Sequence, residues 1–446
     1  TIKGLTCAYQ YDTSKVTGME VQYPDDDTNM YNDPKHKLIK HIDYNARGQM
    51  TSMLRGNKTK TLYAYDARGR LTSLITQSGA NRVVREIQNV TYTFNIDNSL
   101  KSILNNAEQS AFGSESNSTE YNYVYDGLNR LISAKGSYMR HGSDKKVHRK
   151  FYRGYSYSSH GNLTEKRFYN TQTNLLEKAW TYTYSNHQVT GVFSSVAGNI
   201  FQMTYDAVGN MTHQSDKKEN RLKDITYDAQ NRITAIVNSD TGAVVGQYDY
   251  DEQGFRIRKT AHRDVNGGSR TVEVLYPSMY FGMEKNIAAN DSSGSSAFSN
   301  LSEQNGNYSD SDPLWDGSYI VNNFYLNGVR VAMASNDGRC HYYHTDQVDS
   351  VKLVTDKSGM IVSKMEYFPY GEKWFSEDSR DNDVPINPKF NSQEYDEESN
   401  FYYYNARYYD PRIGRFVTAD SVIDGVDTPS GWNGYCYVKG NPVVYK

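Results

Sequence analysis

With 40 tyrosines against 15 phenylalanines and only 37% hydrophobic residues, this 446-residue chain lacks the composition of two ordinary leucine- and valine-filled domains. A formal charge of −3 offers neither a basic stripe for nucleic acid nor an acidic tail for a charge-driven partner. The three cysteines, Cys7, Cys340 and Cys436, are too scattered to imply a disulfide framework, and no apolar run approaches a membrane span.

The chain opens at Thr1 without a signal peptide, and Tyr11-Asp12 already looks like a degenerate copy of a unit repeated downstream, so its start reads as a cut edge. From there to about residue 260 that unit recurs: an aromatic, Asp, two variable residues, Gly or Asn, a basic or amide residue, then an apolar one. It stands as Tyr65-Asp66-Ala67-Arg68-Gly69-Arg70-Leu71, and again from Tyr125, Tyr205 and Tyr227, with looser copies from Tyr44, Phe94, Tyr157, Tyr184 and Tyr250. The fifth position is Gly or Asn in every copy but that at Tyr184, where it is Gln188. Both residues tolerate positive φ, which a hairpin loop built on a type I turn needs just after the turn. Asp at the second position can accept the amides ahead of it. Each unit therefore predicts a strand ending in tyrosine, a short turn and a returning strand.

The flanks alternate as strands do, with Tyr63 and Tyr65, Tyr123 and Tyr125, and Tyr248 and Tyr250 each sharing a face. Cross-strand packing is the expected role of these rings. Open edges would leave so polar a sheet prone to association, so it is expected to coil or close on itself. Residues 1–288 read as this array and 289–316, rich in Ser, Asn, Asp and Gly, as a flexible surface insertion. Sheet resumes at Tyr319 through Leu326, and the last hundred residues hold a denser, non-repeating set of aromatic, Asp and Gly positions.

Those last residues carry the most specific pattern. It comprises His341-Tyr342-Tyr343-His344-Thr345-Asp346, Tyr367-Phe368-Pro369-Tyr370-Gly371-Glu372 and the run from Phe401 through Arg407-Tyr408-Tyr409-Asp410-Pro411 to Asp420. With the array before it, the chain resembles the YD-repeat proteins: Rhs proteins, the C component of bacterial Tc toxins and animal teneurins. The resemblance covers essentially the whole sequence. It implies an all-β fold, YD-repeat β-hairpins spiralling into a hollow closed shell, plugged at one end by an Rhs-associated core within 317–446.

The resemblance also implies chemistry. Bacterial members hold a C-terminal toxin inside the shell, and many release it with an aspartic autoprotease whose required arginine and aspartate match Arg407 and Asp420. A second aspartate is expected after Asn441-Pro442, just past residue 446, so this chain alone lacks half of the pair. Two carboxyls sharing a proton can activate water and protonate a leaving amide, with Arg407 steadying the charge. Ser421 follows Asp420 where the family has proline, which loosens the backbone beside the carboxylate. Taken as residues alone, Arg407 could equally be a strand-face ion pair and Asp420 a turn-starting carboxylate. Asp410, Asp424 and Asp427 are the neighbouring alternatives. His341, His344 and Asp346 invite a metal reading, but residues three apart on a strand face opposite sides, so neither a metal nor any cofactor is expected.

The implied function is the shell of a secreted or exported bacterial polymorphic toxin, serving interbacterial competition and cut just downstream of residue 446. Its partners would be its own C-terminal toxin domain, N-terminal parts of the full-length protein and a secretion or delivery machine, with no nucleic acid and no membrane span. The alternative is a teneurin-like adhesion scaffold that does no chemistry and binds carbohydrate or protein through exposed tyrosines.

Overall fold

The computed structural model describes residues 6–22, 35–79, 83–108, 116–141, 147–217, 220–265, 268–287, 319–336, 338–378, 388–423, 425 and 429–446. The insertion expected at 289–316 lies outside them. Among the described residues, twenty-eight strands, from Thr6–Asp12 to Lys373–Asp378, form one sheet. Each strand pairs antiparallel with the next in sequence, as Lys60–Tyr65 does with Leu71–Ser78 and Val244–Tyr250 with Arg256–Val265.

The repeated unit is the hairpin. Tyr65 pairs with Leu71 after a register shift at Ala64/Tyr65, and the same shift recurs at Tyr157, Tyr205, Tyr227 and Tyr250. Asp66 holds the turn through its Oδ1, which accepts the amides of Arg68 (3.0 Å) and Arg70 (2.9 Å). Asp126, Asp206, Asp228 and Asp251 accept the equivalent pair of amides. The fifth residue takes the positive φ the turn requires, +84° at Gly69 and +61° at Asn129. The departing copy at Tyr184 closes earlier, with Ser185 paired to Gln188 and positive φ moved to Asn186.

Two contacts weld one unit to the next. The leading tyrosine sends its hydroxyl back to the carbonyl that begins the previous returning strand: Tyr65 to Met50 (2.9 Å), Tyr125 to Leu100 (2.8 Å), Tyr227 to Met211 (2.7 Å) and Tyr250 to Ile233 (2.8 Å). The sixth residue reaches forward. Arg232 donates to Asp251 O (2.9 Å) and lies 4.9 Å from the centre of the Tyr250 ring, and Arg130 does the same to Ser158 O and Tyr157. The phenols thus add directed bonds to the packing expected of them. Tyr250→Phe keeps the ring and strands the Ile233 carbonyl, so it should lower stability by about 1 kcal/mol; the shift in urea midpoint measures it.

The ribbon then comes round on itself. Tyr9 OH donates to Tyr325 O (2.9 Å), Asn57 Nδ2 to Thr355 Oγ1 (2.9 Å), Ser78 Oγ to Gly359 O (2.7 Å), Tyr121 OH to Glu366 Oε2 (2.6 Å) and Tyr138 OH to Glu377 Oε2 (2.8 Å). Both partners advance together along the chain, so the early strands run beside the last ones in order. The unit's turn also continues into the stretch read as non-repeating: Asp346 accepts the amides of Val348 and Ser350, Asp356 those of Ser358 and Met360, and φ is positive at Asp349, Gly359 and Gly371. Thr345 and Thr355 replace the leading tyrosine there, which hid the pattern.

A second sheet of four short strands, Glu394–Asp396, Phe401–Tyr403, Tyr408–Asp410 and Arg415–Phe416, plugs the spiral against its buried face. Aromatic rings fill the join, with Tyr248 5.5 Å from Tyr408 between centroids and the Tyr409 hydroxyl donating to Tyr370 O (2.8 Å). Charges cross it too. Arg256 reaches Asp396 (2.6 Å), Lys259 reaches Asp396 (2.6 Å) and Glu394 (3.1 Å), and all four side chains are largely or wholly buried. The fold is therefore the expected one: all-β, a hairpin ribbon wound into a shell and stopped by a C-terminal core.

Candidate functional site

Arg407 closes a tight turn, with Asn405 at φ +60° and the Tyr404 amide bonded to Arg407 O (2.9 Å). Just beyond it, Tyr408 and Tyr409 are buried in the small sheet and fix where the arginine stands. Its guanidinium lies 3.8 Å from the centre of the Phe416 ring. Nη2 donates to Asp420 Oδ2 at 2.6 Å and Nη1 to Gly434 O at 2.9 Å. The Asp420 amide donates to the same Gly434 carbonyl (2.8 Å), and the Val422 amide donates to Asp420 Oδ1 (3.0 Å).

Gly434 is the organising residue that the sequence did not reveal. A Cβ there would stand 3.0 Å from the Asp420 nitrogen, a contact tight enough that any larger residue would press the two segments apart. Its own segment is pinned to the repeat array by Tyr435, whose hydroxyl donates to Gly209 O (2.6 Å) in the turn of the Tyr205 unit. No local motif marks Gly434; the one signal was its place among the small and aromatic residues Gly431-Trp432-Asn433-Gly434-Tyr435.

The site is polar and half open. Burial lowers the Arg407 guanidinium below the ordinary arginine value, and Asp420 opposes that shift, leaving it a cation at any physiological pH. The Asp420 side chain keeps 35% of its surface exposed, so water and a peptide can reach it. One oxygen is held by a guanidinium and the other by an amide, which aims the carboxylate. Such a group can hold or pass a proton if a second carboxyl faces it.

Asp410, one of the alternatives, belongs elsewhere. It is fully buried and accepts from Arg412 Nε (3.1 Å) and Gln214 Nε2 (2.8 Å). Burial alone would raise its carboxyl, but Arg412 beside it, with Lys223 and Gln214, holds it below the ordinary value. It is a structural counter-ion. Asp424 and Asp427 lie outside the described residues. His344 Nε2 and Thr355 Oγ1 share a hydrogen bond (3.0 Å), and Asp346 Oδ1 accepts the turn amides of Val348 and Ser350.

Among known proteins, a family model described as teneurin YD-shell matches residues 324–443, and one described as RHS repeat matches 44–82. The chain is 26% identical over 436 residues to toxin subunit YenC1 of Yersinia entomophaga, covering 91% of this chain and 42% of that protein. It is 26% identical over 250 residues to tRNA nuclease WapA of Bacillus subtilis (strain 168), covering 55% of this chain and 9% of that one, and 24% identical over 351 residues to teneurin-3 of Danio rerio, covering 73% and 12%. The crystal structure of TcdB2-TccC3 superposes with a TM-score of 0.76 at 21% identity, over 99% of this chain and 21% of that one. The chain thus spans less than half the length of the toxin subunit it matches.

Proposed function

From a chain that is a YD-repeat shell protein of the Rhs kind, we propose that these residues form the closing part of a bacterial toxin shell. The shell encloses a C-terminal toxin domain and frees it by aspartic autoproteolysis just downstream of residue 446. Arg407 and Asp420 supply the arginine and one carboxylate, and a residue past 446 supplies the other. The observation that carries this reading is the Arg407–Asp420–Gly434 arrangement, an aimed and accessible carboxylate on the segment that stops the spiral.

The released domain would be delivered outside the producing cell, in keeping with toxin-subunit relatives. No helix among the described residues is long and apolar enough to cross a membrane. Intact-mass measurement of the full-length product tests the proposal: two polypeptides split shortly after residue 446 are expected, and a single uncut chain in a folded product refutes it. A scaffold that binds sugars through outward tyrosines finds less support. The large exposed aromatics among the described residues, Tyr11, Phe193, Tyr280, Trp432 and Tyr445, lie far apart in sequence and make no ring pair with one another.

A further inference from the structure

Beside the core lies a cavity of about 460 Å³, between the strands Gly268–Ser278 to Cys340–Thr345 and residues 388–405. Its volume falls in the range of ligand sites, roughly 300–1,000 Å³. Tyr319, Tyr325, Tyr343, Tyr403 and Tyr404 line it, as does Lys446.

Two polar groups in its wall have unused capacity. Arg330 makes one side-chain hydrogen bond among the described residues, from Nε to Tyr325 OH (3.2 Å), and its two amino groups are left for the cavity. Asn323 is nine-tenths buried, and its Oδ1 accepts from no donor among the described residues. A buried acceptor without a donor is costly, so something that brings an N–H or O–H would be favoured there. The carboxylates Glu394 and Asp349 in the same wall are already engaged, Glu394 by Lys259, Arg256 and Tyr276, and Asp349 by Lys446. The Arg330 guanidinium, near Glu394 but with its two amino groups making no hydrogen bond among the described residues, an amide acceptor and tyrosine faces together fit an extended peptide bearing a carboxylate.

The approach to the cavity is equally constrained. Asn441 Nδ2 donates to Asn129 O (2.8 Å) and Gln347 Nε2 to Val443 O (3.0 Å), so the last residues are tied down before Lys446 reaches the rim. We propose that the cavity seats the polypeptide continuing past Lys446 in a longer product, with an acidic side chain of that segment paired to Arg330 and a main-chain amide to Asn323. This rests on the reading that such a segment exists. At about 3.3 Å per extended residue, a space this size takes about three residues, so the acidic group lies within a few positions of Lys446.

A photo-crosslinking residue in place of Val329, which also lines the cavity, tests the seat in the full-length product. Irradiation should join position 329 to a peptide from the first ten or so residues after 446, and Arg330→Ala should reduce that product by about tenfold while Arg330→Lys retains part of it. A folded product that crosslinks only to distant sequence, or whose crosslink is indifferent to Arg330→Ala, overturns the proposal. The same sample reports cleavage separately. An uncut chain that crosslinks at position 329 in this way refutes autoproteolysis and leaves the seat standing, and a cut chain with no crosslink does the reverse.

Discussion

Asp396→Ala should destabilise the protein by about 3–5 kcal/mol, more than any single hydrogen-bond deletion in the repeat array. The carboxylate is fully buried and meets Arg256 and Lys259 at 2.6 Å each, on side chains that keep only 1% and 2% of their surface. Removing it leaves two desolvated cations with Glu394, and with Glu398 3.6 Å from Lys259; Glu394 is held well below the ordinary carboxyl range, because Lys259 and Arg256 outweigh the burial that would raise it. The cost is the stranded charge more than the lost attraction. Replacing Asp396, Glu394, Glu398, Arg256 and Lys259 together by apolar residues should therefore recover much of the loss, because an entire buried ion cluster and a packed apolar one are often close in stability. Guanidinium denaturation of the single and the fivefold variants separates the two; a single variant within about 1 kcal/mol of the parent would show the cluster to be solvated.

That cluster marks the limit of what the sequence showed. The hairpin unit was legible because its rules are local: Asp at the second position caps amides two and four residues on, and Gly or Asn at the fifth takes a positive φ. The destination of the tyrosine hydroxyl was not, because it depends on a carbonyl 15 to 28 residues earlier, across an insertion of variable length. Turns at Asp346 and Asp356 were missed since the geometry needs the aspartate and not the tyrosine before it. The pairing of Lys259 with Asp396, 137 residues apart, has no periodic trace at all. Asymmetry of the same kind holds at the site. Arg407 and Asp420 came from resemblance to a motif, and the structure brings them together; Gly434, which holds both through one carbonyl, sits in no motif that was read.

Asp420→Asn in the full-length product should slow cleavage by about a thousandfold or more, the range lost with a positioned proton-transfer group. The amide has the shape of the carboxylate but a single acceptor oxygen, so it keeps the bond from the Val422 amide and gives up the one from Arg407. An ion pair with this much solvent contact contributes no more than about 1 kcal/mol, and the fold should hardly notice its loss. What disappears is the capacity to share a proton with a second carboxyl. Arg407→Lys makes a complementary prediction. A single ammonium cannot span Asp420 Oδ2 and Gly434 O as the guanidinium does, so cleavage should slow while the charge is kept. A time course of intact mass after synthesis, with circular dichroism to confirm folding, reads both variants. Cleavage of folded Asp420→Asn at the parent rate would leave Asp420 the turn-starting carboxylate that its bond to the Val422 amide also describes.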